Sequence, residues 1–256
     1  MSFTPVNELE RLLVAAATDP AARPAFYRAL TQHDLFVITE GPVPERGQRV
    51  VADENTSLQI GMIEIDGTLH APIFTSVERI SVVVPQEVGF AAMKGDALLA
   101  ILRGKDLVMN PGAEYGKIFT AHEVEAICSG SLFNPAKLQV GGGKQILLGQ
   151  PKDYPRHITE ALSRLFARSR DVKVAYLAHA FIPDVDQAPH TLIGVEVVRN
   201  GREVVGEACA VVREVAKQGE MVNFVQLHPQ TSDTIADYMR QQTTPFYVRK
   251  RWFGLF

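Results

Sequence analysis

The stretch "GSLFNPAKLQVGGGK", Gly130 to Lys144, constrains the fold more than any other feature of the chain. It carries four glycines between Gly130 and Gly143, an Asn134-Pro135 step and no sustained apolar period. Such a segment is a poor helix and a poor strand, because glycine loses the most backbone entropy on ordering and Asn-Pro starts turns. On both sides of it the chain is patterned for helices and strands. The break divides 256 residues, a length that suits two medium domains. We expect one domain over 1–130, a Gly-rich linker over 131–143 and a second domain over 144–256.

In the first part, Asn7 is placed to cap a helix, with Glu10 three residues on in the manner of a capping box. Leu9, Leu12, Leu13 and Ala16 then form one apolar face. Asp19-Pro20 ends this helix and opens a second, continued by Phe26, Tyr27 and Leu30. "DLFVITE" predicts a strand. "SLQIGMIEIDG" and "HAPIFTS" predict a hairpin turning at Asp66-Gly67. Ser76 is placed to cap a short helix through Ile80. "GDALLAILRG" predicts a helix over Gly95–Arg103 closed by Gly104, "KDLVMN" a strand, and "TAHEVEAICSG" a helix capped by Thr120 and stopped by Gly130.

In the second part, "KQILLGQP" predicts a buried strand. "PRHITEALSRLFARSR" predicts a helix striped by Ile158, Ala161, Leu162, Leu165 and Phe166. "DVKVAYLAHAFIP" and "HTLIGVEVV" predict paired strands. "GREVVGEACAVVREVAKQG" has the valines of a strand but the period of a helix: Val204, Ala208, Val211, Val212 and Val215 share one helical face. "MVNFVQL", "TSDTIADYMRQQ" and "PFYVR" add a strand, a helix and a last short strand. The order β-α-β-β-α-β-α-β predicts an α+β class. Each domain is expected to hold a mixed sheet with helices packed on it. The C-terminal domain is expected in a ferredoxin-like or split βαβ arrangement with its helices on one face.

Net charge is −3, so the chain lacks the electropositive bulk that draws nucleic acid, and no nucleic-acid partner is expected. Cys128 and Cys209 form neither a metal knuckle nor a CxxC pair, which fits a reducing compartment. "MSFTPVNELERLLVAAATDP" has acids ahead of its apolar run and reads as a helix rather than a signal peptide. No apolar run approaches the roughly 18 residues of a membrane span. The expected setting is cytoplasmic.

The chemical motifs resolve into turns and helix ends. "VGGGKQ" has Leu138 and Gln145 where a phosphate loop needs Gly and Ser/Thr, and it precedes a strand rather than a helix. "HEVEA" has Ala126 where a zinc-protease motif needs its second histidine. The remaining histidines lie at no ligand spacing, although His179 and His190 flank a predicted hairpin. Cys128 falls at a helix C-terminus, where the dipole opposes a thiolate, and Cys209 reads as a small core residue. There is no GxSxG elbow. Asp184 and Asp186 read as solvated loop acids. No catalytic, cofactor or metal residue is assigned, and no cofactor is expected. In "DLVMNPGAEYGKIFTAHEVEAI", Pro111, Gly112 and Gly116 have conformational work as turn residues. Tyr115, Lys117 and His122 are the candidates for a ligand site in an interdomain cleft. The end, "PFYVRKRWFGLF", interleaves aromatic and basic groups. Phe246, Tyr247, Arg249, Arg251 and Trp252 are the candidate partner-binding residues, since Trp and Arg are frequent binding anchors. A packed tail would instead alternate, with Phe246, Val248 and Trp252 inward.

"NELERLLVAAATDPAARPAFYRAL", "PIFTSVERI", "LVMNPGAEYGKIFTAHEV" and "TPFYVRKRWFGLF" occur in an order that resembles the SseB family, the enhanced-serine-sensitivity proteins. The resemblance runs from Asn7 to the C-terminus. It implies an SseB-type N-terminal domain followed by the family's C-terminal domain. The family name records a growth phenotype with an indirect connection to serine metabolism; it assigns no reaction and no catalytic residue. The expected function is a cytoplasmic, non-catalytic binding or regulatory protein with a protein partner. The alternative is an enzyme or metabolite-binding protein with its site in the cleft.

Overall fold

A computed structural model describes residues 3–39, 60–134, 145–183, 185–228 and 233–250. Most of the proposed linker, from residue 135, lies outside these, as do Arg251 and Trp252. The chain divides into two compact units, Met1–Thr18 with Ala22–Leu132, and Asp19–Ala21 with Phe133–Phe256.

The first unit opens with α1 (Glu8–Thr18) and α2 (Arg23–Gln32). Asn7 caps α1 as its position predicts, its Oδ1 accepting from the Glu10 N–H at 2.9 Å. Then come β1 (Asp34–Ile38), β2 (Ile63–Ile65), β3 (Thr68–Ile73), α3 (Val77–Val83), β4 (Phe90–Lys94), α4 (Gly95–Ile101), β5 (Asp106–Met109), β6 (Lys117–Phe119) and α5 (Ala121–Cys128). β2 and β3 form the expected hairpin, with φ of 50° at Asp66 and 78° at Gly67. Both central residues at positive φ match the twist of the flanking strands. β3 pairs parallel with β5, and β5 antiparallel with β6. β1 and β4 form a second, antiparallel pair. Two backbone bonds between Phe36 and Phe74, at 2.9 and 2.8 Å, tie β1 to the residue that follows β3.

The inward face of the larger sheet, Ala71, Ile73, Leu107, Met109 and Phe119, is fully buried. Each large side chain sealed this way contributes roughly 1.5–3 kcal/mol. One glycine is sterically obligatory. A Cβ built on Gly95 would stand 1.7 Å from the carbonyl oxygen of Leu30, so α4 can begin against α2 only with hydrogen at that position.

Two local readings need correction. β4 was not anticipated, because "FAAMK" alternates only between exposed and half-buried positions and lacks the strong apolar contrast of a half-buried strand. Ser76 does occupy the N-cap of α3, but its Oγ makes no capping bond; it is buried without a hydrogen-bond partner among the described residues.

The second unit contains β7 (Leu147–Gly149), α6 (Arg156–Arg168), β8 (Val172–Phe181), β9 (His190–Val197), α7 (Gly201–Val215), β10 (Val222–Leu227), α8 (Thr234–Gln242) and β11 (Tyr247–Val248). This is the element order read from the sequence, including α7 in the valine-rich stretch. The strands run β10-β9-β8-β11, with β7 also on β8. β7 borders Phe181–His179 and β11 borders Ala175–Val174, so the two short strands share one edge of β8.

That arrangement differs from the interleaved order of a ferredoxin-like or split βαβ sheet. Here β7, β8, β9 and β10 lie in chain sequence, and the parallel pair β9–β10 is adjacent rather than split by an inserted strand. The helices also occupy both faces. Ala175 and Leu177 of β8 belong to the core beneath α6 and α7, while Ala178 and Ala180 belong to a smaller core with Ala236 and Met239 of α8. The physical reason is α8's own stripe: Ala236 and Met239 belong to the core on this face, and Met239 seats over Gly194, where a Cβ would come within 3.3 Å of its sulfur. A one-faced sheet would leave Leu192 and Leu227 in water.

Candidate functional site

The first unit gathers its polar residues around one buried carboxylate. Glu10 lies on the first turn of α1 and is fully buried. A carboxylate removed from water is costly unless every oxygen is paired. Its Oε1 accepts from Thr75 Oγ1 at 2.7 Å and from Arg79 Nε at 3.0 Å. Its Oε2 accepts from Arg79 Nη2 at 2.6 Å and from the Val6 N–H at 2.9 Å. Burial pushes the Glu10 carboxyl up, but the bonds from Arg79, Thr75 and Val6, with the Arg79 charge, outweigh it and hold it below the usual range.

Asn110 extends the network. It is 1% exposed and sits at φ 49°, in the left-handed region that asparagine tolerates. Its Oδ1 accepts from the Thr75 N–H at 3.0 Å, and its Nδ2 donates to Thr75 Oγ1 at 2.9 Å. The capping residue Asn7 donates through Nδ2 to the Thr75 carbonyl at 2.8 Å. On the outer side, Arg79 Nη2 also donates to the Thr4 carbonyl at 2.6 Å, and its guanidinium lies 3.8 Å from the Phe3 ring centroid. Phe3 packs edge-on to Tyr115 at 5.3 Å, and its N–H donates to Glu114 Oε2 at 3.0 Å. The N-terminal segment is thus fastened over the guanidinium by a cation–π contact and hydrogen bonds.

The structure does not gather the three cleft candidates into one constellation. Tyr115 is half-buried against Phe3. Lys117 lies on the inward side of β6, its Nζ 3.0 Å from Glu123 Oε1, an oxygen that also accepts from the Tyr27 hydroxyl at 2.6 Å. His122 is exposed on α5. Glu123, on the first turn of α5, is therefore an acceptor bridging Lys117 and Tyr27. The sequence reading missed the Glu10–Thr75–Arg79–Asn110 set altogether. Its one signal was an arginine inside the apolar run "PIFTSVERISVVV".

At the C-terminal end, the described candidates are fastened to their own unit. The Tyr247 hydroxyl donates to the Phe166 carbonyl at 3.0 Å, and the Phe246 and Tyr247 rings stand 6.3 and 5.7 Å from that of Phe166. Arg249 donates to the Arg170 carbonyl and, through its N–H, to the Lys173 carbonyl. Of the positions expected inward in a packed tail, Phe246 packs against the core of this unit, whereas Val248 does not. Tyr247, opposite Ala175, points inward, and Val248 is 56% exposed.

The histidine pairing considered for the hairpin does not form a joint site. His179 stands opposite Thr191 and His190 opposite Ala180, so alternation sends the two rings to opposite faces. Asp186 is not a solvated loop acid: its side chain is 8% exposed and lies 3.2 Å from His190 Nδ1. Cys128 and Cys209 are both free thiols, and burial pushes Cys209 up to about 11. No helix among the described residues is long and apolar enough to cross a membrane.

The two units correspond to two domain families. The SseB protein N-terminal domain model matches residues 9–126, and the SseB protein C-terminal domain model matches residues 140–249. The chain belongs to the SseB family. It is 31% identical to Protein SseB of Escherichia coli strain K12 over 251 residues, 97% of this chain and 94% of that protein. Protein SseB of Shigella flexneri matches with the same identity and coverage. No solved structure gives a significant match. Three of the four stretches that carry the resemblance meet at Glu10: "NELER", "PIFTSVERI" and "LVMNPGAEYG".

Proposed function

We propose that this SseB-family chain is a cytoplasmic, non-catalytic binding or regulatory protein, linked only indirectly to serine sensitivity. The observation that carries the reading is the mutual engagement of Glu10 and Arg79. The acid and base that the motif stretches bring together are occupied by each other, by Thr75 and by backbone groups. A general acid or base needs a reachable atom and a pKa matched to its task. Glu10 is sealed from water and its pKa is held low. Such a network preorganises a surface rather than performing a reaction. We assign the docking role to the segment that leaves β11, Arg249 to Trp252, with Phe246 and Tyr247 as its anchor in the core.

The test is affinity purification from native extract, comparing the wild-type chain with an Arg251→Ala/Trp252→Ala variant of unchanged circular dichroism. A partner retained by the wild type at constant stoichiometry and lost by the variant supports the reading. An identical set of proteins on both, together with a small molecule that copurifies and is chemically converted, overturns it.

A further inference from the structure

The sheet of the second unit ends on β10 at one side and on the short strands β7 and β11 at the other. β7 spans three residues and β11 two. Shortness protects an edge, as do lysine, proline and bulges, because an open row of N–H and C=O groups is a template for another strand. β10 has none of these devices. It runs six residues, Val222–Leu227, with the sequence VNFVQL and an unbroken register. Its exposure is that of an open edge. β9, inside the sheet, is buried at all eight of its residues. β10 shares the same two cores, with Val222 and Phe224 on the larger and Val225 and Leu227 on the smaller. Five of its six residues are nevertheless only half-buried.

The direction of its backbone groups follows from its pairing. The Thr191 N–H donates to the Met221 carbonyl at 3.1 Å, and β10 runs parallel to β9 with Val222 beside Thr191. Backbone groups alternate sides along a strand, so Met221, Asn223 and Val225 turn theirs to β9. Val222, Phe224 and Gln226 turn theirs outward. Among the described residues, no hydrogen bond reaches the outward N–H and C=O groups of these three.

We propose that β10 is a dimer interface, at which two copies of this chain join edge to edge into one continuous sheet. A closed pair of identical chains is related by a twofold axis, and two copies of one edge strand related in that way run antiparallel. The axis passes through Phe224. There the Phe224 N–H of each copy donates to the Phe224 carbonyl of the other, and Val222 of one copy exchanges the same two bonds with Gln226 of the other. Every outward group of β10 is then paired. An axis through Val225 would instead set Val222 against His228, beyond the strand. A second copy suits this edge because its two ends are complementary. The Phe224 register sets Glu220, ahead of β10 in one copy, against His228, just after β10 in the other. At the His228 end, Arg240 donates through Nη2 to the His228 carbonyl at 2.8 Å. An acidic end thus meets a basic end on both sides of the axis, and β10 itself carries no charge to repel its copy. Phe224 meets Phe224 on the face of the larger core, and cross-strand aromatic pairs stabilise sheets. β11, from which the partner-docking segment leaves, lies at the far side of the sheet, so the two readings stand or fall separately.

Sedimentation equilibrium of the full chain measures the association, and a concentration-dependent monomer–dimer equilibrium is expected. Val222→Pro removes an outward N–H at the first residue of an edge strand, where proline is tolerated. The dimer loses that bond twice, so association should weaken at least about tenfold with circular dichroism unchanged. Gln226→Lys puts a charge in the pairing row and should weaken association likewise. Amide hydrogen exchange on the wild type reads the register without any substitution. The amides of Val222, Phe224 and Gln226 should exchange more slowly as protein concentration rises, whereas those of Asn223 and Val225, turned to β9, should not change. Should a variant unfold, this exchange pattern decides. A chain that stays monomeric, or a dimer that the folded variants form as well as the wild type, overturns the proposal. So does protection of the three outward amides at every concentration, the mark of another segment of the same chain on this edge. An extended peptide of a different protein seated there on a monomeric chain overturns it equally.

Discussion

Arg79 grips Glu10 through two parallel bonds, Nε to Oε1 at 3.0 Å and Nη2 to Oε2 at 2.6 Å, with the two residues 69 positions apart in sequence. Removing one member strands the other in a buried setting. Arg79→Met is expected to destabilise the first unit by about 3–5 kcal/mol, whereas Glu10→Leu combined with Arg79→Met should recover a substantial part of that loss. Urea denaturation of the single and double variants measures both. A double variant less stable than Arg79→Met would show that the pair is not an isolated coupling.

The same pair sets an acid limit. The folded pKa of Glu10 is lowered from its unfolded value, so its contribution is complete above the ordinary carboxylate range, near about 4.3. It is lost as pH falls through the lower, folded value. Glu10→Gln should therefore reduce stability at pH 7 and flatten the acid limb of the stability–pH curve. Melting temperatures from pH 7 down to about pH 3 check this. A variant with the wild-type acid slope would contradict it.

Gly95→Ala is expected to be among the most damaging single changes in the first unit. The new methyl would fall 1.7 Å from the Leu30 carbonyl oxygen, a backbone atom that cannot swing aside. Separating α4 from α2 to relieve the clash should cost about 3 kcal/mol, at the upper end for overpacking. Chemical denaturation decides, and a variant within 0.5 kcal/mol of wild type, about the scatter of neutral surface changes, would refute the close approach.

Cys209 should alkylate slowly. Burial raises its thiol to about 11 from an ordinary value of 9.0, leaving roughly a hundredfold less thiolate at pH 8. Iodoacetamide with peptide mapping should label Cys128 first. Equal labelling of both thiols in the folded chain would be the contrary result.

Limited proteolysis addresses the domain boundary. First cuts between Gly130 and Gly143, followed by two persistent fragments, are expected from the glycine content and weak periodicity of that segment. Early cutting within α6 would count against it.

The sequence by itself determined the local elements. The spacing of Val204, Ala208, Val211 and Val212 specified α7 despite its valines, Asp66-Gly67 specified the β2–β3 turn, and Asn7 specified the start of α1. Each of these depends on residues a few positions away, where period and turn chemistry leave few choices. Tertiary structure decided the rest. The adjacent order of β7 to β10 and the placing of α8 on the second face depend on which apolar stripes find partners, and several pairings satisfy the same local pattern. Glu10 sits where a capping box places it, yet its carboxylate accepts from the Val6 N–H, one residue before the cap, and Asn110 lies in the turn after β5 at φ 49°. Only folding brought them to Thr75 and Arg79, because a side chain's capping or turn role is local while the hydrogen-bond capacity left over can be matched only by residues distant in sequence.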